Sequence, residues 1–350
     1  MSMRRVVSRL VSPFGTVTAP LIVSLSASLL ASTVFTLSGN AIAQDTRAWP
    51  GNTIAIVSGF PGGAATDLYA RKLGAELTRE LGVSFISDNR PGAGGNIASS
   101  LVAQAKPDGY TFLLGTAGTH AINPALYSKL SFDVVNDFSR IALLGTLPNI
   151  LLVNPEKHPE IKTCQDLISA ARKAPGKLNY ASTGNGASGH LAGTQFATAS
   201  QTTYVHIPYK GQGPAMTALL SGEVDFFFNQ SSPSLGAIQS GKVRALAVTS
   251  AQRVSVLPDV PTVAEACNLP GFESTTWYGL FGPAHLPADI QSRMSKAVLK
   301  VIQTDSFRQW LVSQAIQPIQ DGGPEAFKRT QLADMKTWAK IVKDSGAHVD

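Results

Sequence analysis

The chain holds only two cysteines in 350 residues, Cys164 and Cys267, and no C-x-x-C pair. That spacing excludes the common zinc and dithiol motifs, which need thiolates close together in sequence. Between Leu191 and Gly222 there is no Asp or Glu, and elsewhere the acids are too scattered to form an evident catalytic pair. No cluster of Lys and Arg with interleaved aromatics occurs, which argues against nucleic acid as a partner. Beyond the N-terminal region no run of about 18 apolar residues remains, so no later membrane span is expected. Internal repeats and low-complexity linkers are also lacking.

What is present begins with an export signal. Arg4, Arg5 and Arg9 precede an uncharged apolar stretch from about Ala19 to Leu37, and Ala41-Ile42-Ala43 supplies an A-x-A cleavage site before Gln44. Pro20 and the many Ser and Thr in the stretch argue for cleavage after Ala43 over a retained anchor. Arg4-Arg5 raises twin-arginine export, but no Phe or Leu follows the pair directly, and Sec export is the expectation. Removing this segment takes away three arginines and no acid, leaving 26 basic against 23 acidic residues, a balance of +3. The expected location is the periplasm, where a disulfide between the two cysteines is permitted but two separate buried thiols are equally compatible with the sequence.

The remainder alternates short apolar strands with amphipathic helices. Strands are expected at 53–58, 83–87 and 110–114, with a helix between the first two that carries Leu68, Leu73, Leu77 and Leu81 on one side. Thr66 is its N-cap candidate and Gly82 its terminating glycine. Strand, helix, strand, helix, strand implies a parallel sheet. A second unit begins after the strand Ile150–Val153, which Asn154-Pro155 breaks, with helices from about 164 to 173, from about 189 and at 214–220, and strands at 178–181, 205–207 and 224–228. Beyond the strand at 277–281, helical periodicity covers 288–304, 306–315 and 324–343. The expected fold class is α/β, with lobe 1 from 44–148 plus 272–350, lobe 2 from 149–271, and a ligand cleft between two Rossmann-like lobes.

In open α/β sheets ligands sit where strands hand over to helix N-termini. The first such loop, Phe60 to Asp67, contains Gly62-Gly63, which frees the backbone to approach a ligand, and leads into a helix start that attracts anions. The same residues could form an ordinary tight turn. Gly184 to Gly189 matches G-x-G-x-x-G, but the acidic partner expected about 20 residues later is missing, so an anion at a helix N-terminus is the better reading. Ser188 could instead cap that helix without any ligand. Gly236 to Val243 misses the phosphate-binding loop because Val243 replaces the hydroxyl residue. Gly186 to His190 misses the G-x-S-x-G elbow because His190 takes the last glycine position. A periplasmic hydrolase using Ser188 and His190 is therefore disfavoured, and neither an enzyme nor a cofactor is expected. Tyr209-Lys210-Gly211, directly after a strand, is a further ligand candidate.

Read together, these segments resemble the Bug family of extracytoplasmic solute-binding proteins that serve tripartite tricarboxylate transporters. The resemblance rests on FPGGAATDLYARKL from Phe60, DNRPGAGGNIA from Asp88, KPDGYTFLLGTAGTHAINPALY from Lys106 and PGKLNYASTGNGASGHLA from Pro175. It continues through HIPYKGQGPAMTALLSGEVDFFF from His206, GKVRALAVTSAQRVSVLPDVPTVAEA from Gly241 and TTWYGLFGPA from Thr275. It implies a type II periplasmic-binding-protein fold closing on a small carboxylate. The ligand contacts it implies are Phe60, Gly63, Ala65, Asp67, Thr116, Thr183, Gly184, Tyr209 and Asn229. It further implies a monomer that meets the integral membrane subunits of such a transporter. A sensor subunit docking on a membrane receptor kinase is the alternative. Ala64 stands where the family usually has Gly, Asn229 where Asp is frequent, Ala218 and Asp88 where Asp and Glu are frequent, and Cys267 where Gly is usual. The loss of an acid at 229 favours a more anionic ligand, or one without an ammonium group.

Overall fold

The strand β1 (Ile54–Ser58) runs into helix α1 (Ala65–Leu81), followed by β2 (Phe85–Asn89), α2 (Asn96–Ala103), β3 (Thr111–Thr116) and the short α3 (Asn123–Leu126). Then come the long β4 (Phe138–Val153), α4 (Cys164–Lys173), β5 (Asn179–Ser182), α5 (Ser188–Ser200), β6 (Val205–Pro208) and α6 (Gln212–Ser221). The chain continues through β7 (Phe226–Gln230), α7 (Ser231–Gln239), β8 (Arg244–Val248), the short α8 (Val263–Ala266) and β9 (Thr275–Pro283), and ends in α9 (Ala288–Ile302), α10 (Asp305–Ser313) and α11 (Pro324–Ser345). The structure is a computed structural model that describes residues 49–349, all within one compact unit. The expected export signal and its cleavage site lie outside the described residues. No helix among them is long and apolar enough to cross a membrane.

The strands form one curled mixed sheet in the order β2-β1-β3-β9-β4-β7-β5-β6, with β8 also on β4. The β1–β2, β1–β3, β5–β6 and β5–β7 pairs are parallel, as strand-helix alternation requires. The expectation of purely parallel sheets fails at the centre, where β9 and β4 insert antiparallel to their neighbours. Most of β4 has no period-2 signal because its residues are buried on both faces, so the strand extends twelve residues N-terminal to the expected start at Ile150. Its first part pairs with β9 up to Pro148, and its last part, from Asn149, pairs with β7.

Alternate residues of each strand feed opposite cores. On β9, Tyr278 and Leu280 join α1 and α9 in one cluster, while Trp277 and Phe281 join α11 in another. On β7, Phe226 and Phe228 face Cys164 and Phe196, and Phe227 faces Leu219 and Val248. The first two clusters draw on residues 49–147 and 277–342, with Leu191 as the exception, and the other two on residues 150–272. Each such fully buried side chain contributes about 1.5–3 kcal/mol.

Two local expectations on α1 are corrected. Its N-cap is Ala64 and not Thr66, whose hydroxyl instead accepts a hydrogen bond from Ser58 Oγ at 3.1 Å. Its buried stripe is Tyr69, Leu73 and Leu77 at i, i+4 spacing, and Leu68, about 100° further round, is 47 % exposed. Gly82 closes the helix in the left-handed conformation as expected. The two cysteines form a disulfide with Cα atoms 5.2 Å apart, tying the first residue of α4 to the end of α8.

Candidate functional site

A cavity of about 430 Å³ opens where several strands hand over to helices. The residues that cap α1, α5, α6 and α7 all line it: Ala64, Ala187, Gly211 and Gln230. None of the four offers a side-chain acceptor to its helix. Elsewhere the same chain caps well: Thr163 Oγ accepts from the Asp166 amide at 3.2 Å, Thr262 from Glu265 at 3.1 Å and Thr304 from Phe307 at 3.4 Å. A helix start leaves four N–H groups without intrahelical partners and carries about half a positive charge. Four such starts around one cavity therefore make it receptive to anions.

The side chains agree with that sign. Among the described residues no Asp or Glu lines the cavity, and Lys210 is the one charged lining residue. Ser188, expected as a possible cap of α5, instead donates to Asn149 Oδ1 at 3.1 Å, leaving the helix start free. Two glycines let the backbone close in. Gly186 has a φ of +73°, and a side chain there would run into Leu126; a side chain on Gly189 would collide with the carbonyl oxygen of Phe228.

Of the residues expected to contact a ligand, Phe60, Ala65, Thr116, Thr183, Gly184 and Tyr209 line the cavity. Gly63, Asp67 and Asn229 do not. Gly63 is exposed, and its amide donates to Asp67 Oδ2 at 2.9 Å. Asp67 also accepts from Arg71 Nε at 2.9 Å and Ser87 Oγ at 2.8 Å, so it braces the loop around it. Burial alone would raise its pKa, but the Arg71, Gly63 and Ser87 hydrogen bonds bring it down to about 2. Asn229 is buried behind the wall, accepting from Gln212 Nε2 at 3.0 Å and donating to Ser234 Oγ at 2.9 Å. It thereby positions Gln212, which does line the cavity. Tyr209 spends its hydroxyl on Glu223 at 2.8 Å, so it presents ring and backbone to the cavity.

The loop from Ser182 to Gly186 is pinned from behind by two stacked imidazoles, His190 and His206, with ring centroids 3.9 Å apart. His190 Nδ1 accepts the Gly186 amide at 3.0 Å, and His206 Nε2 lies 2.7 Å from Ser182 Oγ. Burial lowers His190 to about 4, and burial together with the repulsion a second protonated ring beside His190 would meet lowers His206 to about 3, so both rings are neutral at neutral pH. His190 Nδ1 is thus occupied by a backbone amide, and Ser188 Oγ is bonded to Asn149. The nucleophile–base pair that a hydrolase would need is not formed by these two residues.

Tyr278, Thr276, Tyr127 and Val349, which are not expected from the sequence, also line the cavity, as does Gln230 from the candidate loop Asn229 to Ser232. Period-2 alternation along β9 could have put Thr276 and Tyr278 on one face. Nothing in the sequence points to Val349, which arrives by pairing with Tyr127 and donating its amide to Leu126 O at 2.9 Å.

Residues 69–347 match the family described as Tripartite tricarboxylate transporter family receptor. Among solved structures, the chain is 34 % identical to Rpa4515 of R. palustris with adipate, covering 86 % of this chain and 100 % of that one at a TM-score of 0.80. It is 32 % identical to the periplasmic binding protein BugD, covering 86 % and 99 % at a TM-score of 0.77. It is also 32 % identical to MatC of Rhodopseudomonas palustris with bound malate, covering 84 % and 99 % at a TM-score of 0.75. The family is one of receptors, and the neighbours BugD and a TctC protein of Polaromonas are binding proteins and not enzymes.

Proposed function

The chain belongs to the tripartite tricarboxylate transporter receptor family, of which the Bug proteins are members, and we propose that it captures a small organic carboxylate in the periplasm and delivers it to the membrane subunits of such a transporter. The observation that carries this reading is the set of four helices whose uncapped starts line one cavity that bears Lys210 and, among the described residues, no acid. Adipate in one structural neighbour and malate in another support a carboxylate as the ligand class.

In this reading the signal ending at Ala43 is removed on export, and the Cys164–Cys267 disulfide suits an oxidising compartment. The two lobes are 44–148 with 272–350, and 149–271. The separate cores support that division, with the chain crossing at Pro148–Asn149 and again between Thr249 and Thr275. The Thr249 amide donates to Asn149 O at 2.9 Å, which joins the two crossings, and the Ser274 amide donates to Thr249 O at 2.9 Å. The carboxylate contacts are proposed at Phe60, Ala65, Thr116, Thr183, Gly184 and Tyr209, with Gly63, Asp67 and Asn229 acting through the loop and wall they hold. A thermal-shift screen of residues 44–350 against adipate, L-malate, citrate, terephthalate and nicotinate tests ligand class. Loss of uptake of the stabilising acid on gene deletion, restored by the wild-type gene, tests delivery.

A further inference from the structure

Tyr278 on β9 has an unusual status for a buried tyrosine. The residue is 1 % exposed, it lines the cavity, and its hydroxyl has no hydrogen-bond partner among the described residues. Leaving a buried hydroxyl unpaired is costly, so native structures nearly always supply a partner. The neighbouring Tyr69 illustrates the rule: its hydroxyl donates to Leu144 O at 2.9 Å.

The position of Tyr278 says which partner is missing. It stands opposite Thr116 in the β3–β9 register, and both line the cavity. Its ring packs edge-on against Tyr69 with centroids 5.5 Å apart, and Tyr69 lies one turn along α1 from Ala65. The tyrosine therefore belongs to the wall formed by the uncapped first turn of α1, where Ala65 and Thr66 also line the cavity. An anion received by that helix start lies on the same wall as the residue whose buried hydroxyl is unused. Burial raises the Tyr278 pKa well above its ordinary value, so the proton stays available for donation.

Resting on the carboxylate reading above, we propose that Tyr278 is a ligand-binding residue whose hydroxyl donates a hydrogen bond to the ligand carboxylate seated at the start of α1. The unpaired hydroxyl is then a cost carried by the empty protein and relieved on binding. Because the bond goes to the carboxylate itself, it is shared by every acid the protein accepts and does not select among them.

The test is calorimetric titration of wild-type protein and Tyr278→Phe with adipate, L-malate, citrate and terephthalate, alongside melting of the ligand-free forms. The expected result is a Kd raised about tenfold or more by Tyr278→Phe for each acid that binds the wild type, since hydrogen bonds to charged groups are the stronger class. The ligand-free variant should melt at or above the wild-type temperature, whereas Tyr69→Phe should melt lower. A Kd within twofold of wild type overturns the proposal and leaves the carboxylate reading standing. A fall of several degrees in the ligand-free Tyr278→Phe melt also overturns it, by revealing a structural partner for the hydroxyl. A wild type that binds none of the acids contradicts the carboxylate reading and the proposal with it.

Discussion

The Nδ1 atom of His190 accepts the backbone amide of Gly186 at 3.0 Å, and it can do so only while the imidazole is neutral at that nitrogen. One bond thus makes the geometry of an anion-receptive loop depend on the protonation of a residue behind it. The folded-state pKa of His190 is lowered to about 4 by burial, and those of His206 and His120 to about 3, against about 6.5 in an unfolded chain. Between those values the unfolded state binds more protons, so stability is lost as pH falls below about 6.5. At pH 5 the loss is of the order of 2 kcal/mol per histidine. His158 has the opposite sign, being raised by its bond to Asp225, but its contribution is fully present below about 6.5 and does not offset the loss. Melting temperatures measured from pH 7.5 to 5 should fall steadily below 6.5, and a flat profile would contradict neutral buried histidines.

Lys210 is the one cation on the cavity wall and has no carboxylate partner among the described residues. Its side chain is exposed, so its attraction for a bound acid is screened and modest, about 0.2–1 kcal/mol. Lys210→Gln should weaken carboxylate binding by up to about fivefold, flatten the salt dependence of Kd, and leave the ligand-free melt unchanged. Equal salt dependence in variant and wild type, by titration at low and high salt, would place the cation outside the ligand's reach.

Asp67 was expected to touch a ligand but is committed to Gly63, Arg71 and Ser87. Asp67→Asn removes the charged acceptor and should cost about 1–3 kcal/mol of stability. Melting of the ligand-free variant measures this directly. A stability equal to wild type, with loss confined to ligand affinity, would restore Asp67 as a contact residue.

The Cys164–Cys267 bridge closes a loop with a sequence separation of 103. Chain-entropy estimates for such a loop reach about 4.7 kcal/mol, and measured effects are more often about 2–4. The Cys164→Ala, Cys267→Ala double variant should melt several degrees lower while binding carboxylate with unchanged Kd, because neither residue lines the cavity. An unchanged melt would show the bridge to be dispensable.

What could be read from the sequence was local. The helix at Cys164–Lys173 is legible because Thr163 and Asp166 form a capping box and Leu167, Ile168 and Ala171 mark its buried face. The cavity loops were legible as strand-to-helix handovers, and Phe60, Ala65, Thr116, Thr183, Gly184 and Tyr209 do meet at one cavity. The roles of Asp67 and Asn229 were not, since a side chain's partner depends on what packs beside it: Ser87 on β2 in one case and Gln212 on α6 in the other. The central pairing of β4 with β9 spans more than a hundred residues and carries no local pattern, because both faces of β4 are covered. Val349 reaches the cavity through a contact with Tyr127 that no period or motif announces.

The central claim is that uncapped helix starts hold a carboxylate, and the most direct measurement compares adipate with adipamide, its uncharged analogue of the same length. Protein stripped of co-purified ligand is melted with each acid of the panel, and with adipamide as the control for adipate. At about 100 times its Kd a ligand adds about 2.7 kcal/mol, a shift of several degrees. The account predicts that shift with at least one carboxylate and none with adipamide. Equal shifts with adipate and adipamide, or no shift with any carboxylate, would contradict it.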